Sequence, residues 1–233
     1  MKAGLINNVE TVAITHFHPD HFAGLGELLW HYYLEERTDR LVIIGPVGLK
    51  EKFKKLVAGW QIPFEKIPFE IVLREVKAGD RVGDLRVGLA AHSVTPSLTF
   101  KFEESGISVF YSGDTQPSKE IVESAKSADL LFYEATFPGG MEKEAHKVGH
   151  STAEEAGLVA SKANAGILFL VHLPYYKLGD EGSFITSFVN SALKIFKGPV
   201  LVPENLQVIT PVSYTHLRAH ETEADLVCRL LLE

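Results

Sequence analysis

The chain has 233 residues, 45% hydrophobic and 23% charged, and a formal net charge of −7 at pH 7. These are the proportions of an ordinary globular protein, which excludes a disordered or collagen-like chain, and the acidic balance is not the footprint of a protein that holds nucleic acid through phosphate contacts. No apolar run approaches the roughly 20 residues that cross a bilayer. The first eight residues carry no signal-peptide core, and the sole cysteine, Cys228, leaves no intrachain disulfide or cysteine-based zinc site, so a reducing, cytoplasmic setting is expected.

Short apolar strands alternate with helical stretches from end to end. Strands are predicted at Thr11 to Ile14, Leu41 to Ile44, Ile71 to Leu73, Leu85 to Ala91, Leu130 to Tyr133, Ile167 to Val171 and Val200 to Val202. Leu98 to Phe102 and Ile107 to Tyr111 read as a hairpin turning at Glu104-Ser105-Gly106. Helices are predicted at Ala23 to Arg37, Leu49 to Ala58, Lys119 to Lys126, Phe184 to Phe196, and from a capping box at Ser151-Thr152-Ala153-Glu154 to about Asn164. Lys50, Lys52, Lys54 and Lys55 crowd one helix and read as a solvated face. The pattern is an α/β layered protein with mixed sheets, because hairpins interrupt the strand–helix alternation.

The chemistry concentrates in Thr15-His16-Phe17-His18-Pro19-Asp20-His21, between a buried strand and a helix. Three imidazoles and a carboxylate within six residues would be costly to bury as core, whereas His and Asp at the mouth of a strand are the ligand set of zinc and related hydrolytic metals. His92, Asp114 and His172 each follow an apolar strand and supply further donors in the same order along the chain.

His-x-His-x-Asp-His followed by these three strand-end residues resembles the metallo-β-lactamase fold superfamily over about 200 residues. The resemblance implies an α/β fold, a four-layer αββα sandwich with mixed sheets, and two divalent metal ions. Zinc is the expected metal, with manganese or iron as alternatives. By resemblance one ion takes His16, His18 and His92, the second takes Asp20, His21 and His172, and Asp114 bridges them. Such a pair activates water near neutral pH and clamps the attacked group, with Asp20 also orienting the attacking water. The di-iron redox branch of the superfamily usually has Glu where His18 stands here, which argues against it; the single-iron, persulfide-oxidising branch stays open. Of the remaining histidines before residue 212, His31 reads as a helix residue and His146 as a candidate lining of the substrate path.

Tyr133-Glu134-Ala135-Thr136 and His150-Ser151-Thr152 resemble the ribonuclease Z-like branch, which implies a phosphodiesterase in which His150 assists at the scissile phosphate and Glu134 orients it. His92 and Asp114 stand only 22 residues apart, which leaves no room for the long basic arm with which that branch grips tRNA. Smaller phosphodiesters therefore stand beside an RNA 3′ end as candidate substrates. A homodimer is a candidate assembly, and no membrane partner is expected. The alternatives are an ester, thioester or lactone hydrolase of the same fold, or a non-catalytic truncated chain. The expected domain is residues 1–211, lacking the first strands of the family fold, with residues 212–233 a non-native tail that breaks the strand–helix rhythm.

Overall fold

The computed structural model of the chain describes residues 6, 9–61, 63–92, 97–174, 181–204 and 207–209. Met1–Pro203 forms one compact unit and Glu204–Glu233 a second. The expected tail, 212–233, and Cys228 with it, lies outside the described residues. In the second unit the Gln207 N–H donates to the Glu204 carbonyl at 3.2 Å.

The first unit contains two sheets. Strands β1 (Thr11–Ala13), β2 (Leu41–Pro46) and β3 (Ile71–Val76) pair in parallel as a three-stranded sheet. The other sheet has seven strands: β4 (Arg81–Val82), β5 (Leu85–Ala90), β6 (Ser97–Glu104), β7 (Ile107–Tyr111), β8 (Leu130–Glu134), β9 (Ile167–Val171) and β10 (Val200–Leu201). It is antiparallel from β4 to β7 and parallel from β7 to β10. The predicted hairpin is β6–β7, whose turn places Ser105 and Gly106 at φ 51° and 79°.

Period-two alternation builds the layers. Leu41 and Ile43 face helices α2 (Gly24–Leu34) and α3 (Leu49–Gly59), in a core with Leu25, Leu29, Tyr32 and Phe53. Ile44 and Val76 face the other way and join Val87, Leu98 and Phe100 of the larger sheet. On the far side of that sheet, Leu131, Tyr133, Leu168 and Leu170 pack under α4 (Lys119–Ala125), α6 (Ala153–Ala163) and α7 (Glu181–Leu193). The order is helices, sheet, sheet, helices, which is the expected αββα sandwich. Helices α6 and α7 approach so closely that a Cβ at Gly157 would lie 2.4 Å from the Ala192 carbonyl oxygen.

Several local expectations change; the helix predicted at Phe184 to Phe196, for one, runs over Glu181–Leu193. The helix predicted from Ala23 is preceded by a one-turn helix α1 (Pro19–Phe22), which carries Asp20 and His21. It ends at Leu34, where Glu36 turns left-handed (φ 50°) and the Arg37 N–H closes back on the Tyr32 carbonyl. The capping box is one residue later than predicted: Thr152 and Glu155 form it. Helix α5 (Glu142–Lys147) was not predicted, because six mostly charged residues offer no apolar period. No described helix is long and apolar enough to cross a membrane.

Candidate metal centre

Strand β5 runs in the same direction as β7, β8 and β9, because two successive antiparallel pairings separate it from β7. The carboxyl ends of these strands therefore meet at one edge, the usual place for a site in such sheets. His92 follows β5, Asp114 follows β7, Glu134 ends β8 and His172 follows β9. The loop after β1 reaches the same edge, anchored where the Leu98 N–H of β6 donates to the Thr15 carbonyl at 2.9 Å. All seven residues expected as ligands come together there.

They form two groups. In the first, His18 Nδ1 is 2.9 Å from His16 Nε2 and 3.3 Å from His92 Nε2. In the second, His21 Nε2, His172 Nε2 and Asp20 Oδ2 form a triangle with sides of 3.2, 3.1 and 3.2 Å. Asp114 Oδ2 lies between the groups, 3.6 Å from His16 Nε2 and 3.2 Å from His21 Nε2. Ligands about 2.0–2.1 Å from a tetrahedral ion stand roughly 3.3–3.4 Å from one another, so the spacing fits a cation in each group. The other oxygen of Asp114, Oδ1, is buried and has no hydrogen-bond partner. A buried carboxylate oxygen left so is costly unless a cation satisfies it.

Neighbouring groups prepare the donors. Thr15 Oγ1 lies 3.1 Å from His16 Nδ1, and the Gly149 carbonyl accepts from His92 Nδ1 at 2.9 Å, so both rings turn Nε2 toward the centre. Burial, followed by the charge of His21, pushes the His16 pKa down to about 3, which keeps this ring a neutral donor. For Asp114 burial works upward, but the hydrogen bond from His21 and the charges of His172 and His150 outweigh it and hold the carboxyl well below the usual range. Burial lowers His21, and the bond to Asp114 more than reverses this, so its pKa is raised.

Two backbone features aim the donors. Asp114 follows Gly113 at φ 57°, where a Cβ would come within 3.0 Å of the Leu98 carbonyl oxygen and of Thr15. His172 itself adopts φ 59°, a conformation that costs a non-glycine residue on the order of 1–3 kcal/mol and is typical of functional sites.

His150 lies between the groups, its ring centroid 5.1 Å from that of His92 and 5.4 Å from that of His172. Its Nδ1 donates to Glu134 Oε1 at 2.9 Å and is 4.0 Å from Asp114. Burial lowers its pKa, but Glu134 more than compensates and raises it. Glu134 is buried and fully satisfied, since it also accepts from the Thr115 N–H, the Thr136 N–H and the Thr136 hydroxyl.

Thr136 was not foreseen as a site residue, although its motif was. Its hydroxyl donates to Glu134 Oε2 at 2.8 Å and stands 2.8 Å from His172 Nδ1, which turns His172 Nε2 toward the centre. The contribution of the Gly149 carbonyl could not be read from residue types at all. His31 lies on α2 outside the cluster, and His146 pairs with Glu155 at 2.7 Å.

The fold and this edge define a class that the comparisons name: the beta-lactamase superfamily domain matches residues 3–173, and the class is one of metal-dependent hydrolases. The ribonuclease Z of Ignicoccus hospitalis is 32% identical over 222 residues, covering 74% of this chain and 73% of that protein; the ribonuclease Z of Archaeoglobus fulgidus is 26% identical, covering 84% and 79%. The chain belongs to the beta-lactamase superfamily and, within it, to the ribonuclease Z family of metal-dependent phosphodiesterases. Among solved structures, the short form of human tRNase Z (TM-score 0.69, 24% identity, 89% of this chain and 81% of that one) and YhfI from Bacillus subtilis (TM-score 0.69, 22% identity, 85% and 76%) share the fold.

Proposed function

We propose that this chain is a zinc-dependent endonuclease that cleaves an RNA phosphodiester near a 3′ end, acting in the cytoplasm. The observation that carries this reading is the Glu134–His150 pair set between two groups of metal-ligand spacing. His16, His18 and His92 would hold one ion, Asp20, His21 and His172 the other, and Asp114 would serve both. Bound there, the pair supplies an activated water and neutralises charge at phosphorus. Asp20, at the exposed side of its group, orients the attacking water. His150, fixed through Nδ1 by Glu134, keeps Nε2 to protonate the leaving oxygen. A scissile phosphate stands between them, since attack and departure occur on opposite sides of phosphorus.

The zinc-loaded chain is expected to cut a hairpin RNA with a 3′ extension, to lose this activity to a chelator and to recover it on zinc addition. Water is the nucleophile, so cleavage in H₂¹⁸O places ¹⁸O in the product phosphate. A 2′,3′-cyclic product, or hydrolysis of p-nitrophenyl acetate without RNA cleavage, would overturn the reading and favour another chemistry.

Thr136→Ala is expected to weaken zinc binding about 10–100-fold, the usual cost of losing a group that orients a ligand. Competition with a chromogenic chelator measures this, and Thr136→Ser should restore affinity. Unchanged affinity in the alanine variant would show that His172 is oriented without the hydroxyl.

A further inference from the structure

Helix α3 is an outlier in an acidic chain. It carries Lys50, Lys52, Lys54 and Lys55 against a single acid, Glu51, while the whole chain has a net charge of −7. Glu51 is taken by Lys55 at 2.6 Å. No acidic side chain among the described residues pairs with the ammonium groups of Lys50 and Lys54. These two stand at i and i+4 on one helical face and border a cavity of about 620 Å³ with an apolar floor of Phe53, Val57 and Leu73 and one acid, Glu65.

The placement gives this face a direction. Helix α3 is preceded by Gly48, where an added Cβ would lie 3.8 Å from the Phe17 ring, and Phe17 stands between His16 and His18. Glu75 accepts from the Gly48 and Lys50 N–H groups, so the helix end is already satisfied and the available charge is that of the side chains. From this edge of the metal centre the helix runs about 15 Å along the outer side of the three-stranded sheet.

We infer that the Lys50–Lys54 face of α3, with its cavity, is the docking track for the RNA strand that enters the metal centre. This rests on the endonuclease reading and names the surface that holds that substrate. The two ammonium groups take backbone phosphates, and the half-buried Val57 and Leu73 beside them receive a base or ribose. A polyanion is the occupant that charge complementarity selects, and elsewhere the acidic balance of the chain repels it. The lysines are thus more than a solvated helix face.

The test uses a fluorescein-labelled hairpin RNA that ends at the cleavage position and so cannot turn over, bound to the zinc-loaded chain and followed by anisotropy across a salt series. Lys50→Glu/Lys54→Glu is expected to weaken binding at least tenfold at low salt and to flatten the slope of log Kd against log salt by about 1.4, the loss of two single-strand phosphate contacts. Lys50→Gln/Lys54→Gln should flatten it equally with a smaller loss of affinity, and decides the matter if the reversed variant does not fold. Lys119→Glu/Lys162→Glu, an equal charge change on α4 and α6, should retain wild-type affinity. Unchanged binding in the α3 variants, or an equal loss in the α4/α6 control, would overturn the proposal. Wild-type cleavage of the 3′-extended hairpin, measured alongside, tests the endonuclease reading separately.

Discussion

Replacing Asp114 by alanine is expected to reduce turnover by at least about 10³-fold and to lower the zinc content from two ions per chain to one or none. Asp114 reaches both groups, 3.6 Å from His16 and 3.2 Å from His21. Without it His16, His18 and His92 keep three donors, but the charge that balances two cations is gone. The activation of water that such a pair provides depends on both ions and accounts for many orders of magnitude in rate. The isosteric Asp114→Asn keeps the shape and loses the charge, so it should resemble alanine in zinc content. Metal analysis after gel filtration, with kcat on the 3′-extended hairpin, checks both. Two retained zinc ions in Asp114→Ala would remove Asp114 from the bridging position.

His150→Ala carries the second large effect. A general acid contributes about 10²–10⁴-fold, and a loss of that size is expected in kcat on RNA, whose leaving alkoxide needs a proton. The same variant should lose far less on bis(p-nitrophenyl) phosphate, since p-nitrophenolate departs without one. This contrast separates proton donation from a structural role, because a distorted metal site would slow both substrates alike. Equal losses on the two substrates would refute the assignment and make His150 a candidate ligand instead, beside Asp114 and His172.

The convergent His/Asp cluster was readable because its residues are local or punctuated by strands. Three imidazoles in six residues have no economical place in a core, and His92, Asp114 and His172 each end an apolar run. What could not be read depends on the backbone in space. Gly149 acts through its carbonyl, which every residue type possesses. Ser151 and Thr152 both begin a Ser/Thr-x-x-Glu stretch, so residue types alone do not choose between them. The fold chooses Thr152, because the Ser151 hydroxyl is already committed to the Thr115 carbonyl at 2.6 Å. Thr136 stood in a recognised motif, but its value comes from facing His172, 36 residues away in sequence.

The proposed ligands divide between the halves of the sandwich. His16, His18, Asp20 and His21 belong to the segment after β1, on the three-stranded side. His92, Asp114 and His172 hang from the seven-stranded side. An ion held as proposed would fasten one sheet to the other as a reversible crosslink, closing a loop of up to about 150 residues. Neither half alone offers the full set of these donors, so an ion bound by them would require the two layers to be correctly stacked. Its binding free energy then adds to the cohesion of the stack in proportion to the logarithm of the free metal concentration. A cation so held would be both the reagent and the bolt, and a cell short of it would lose some of the protein's resistance to unfolding along with its activity.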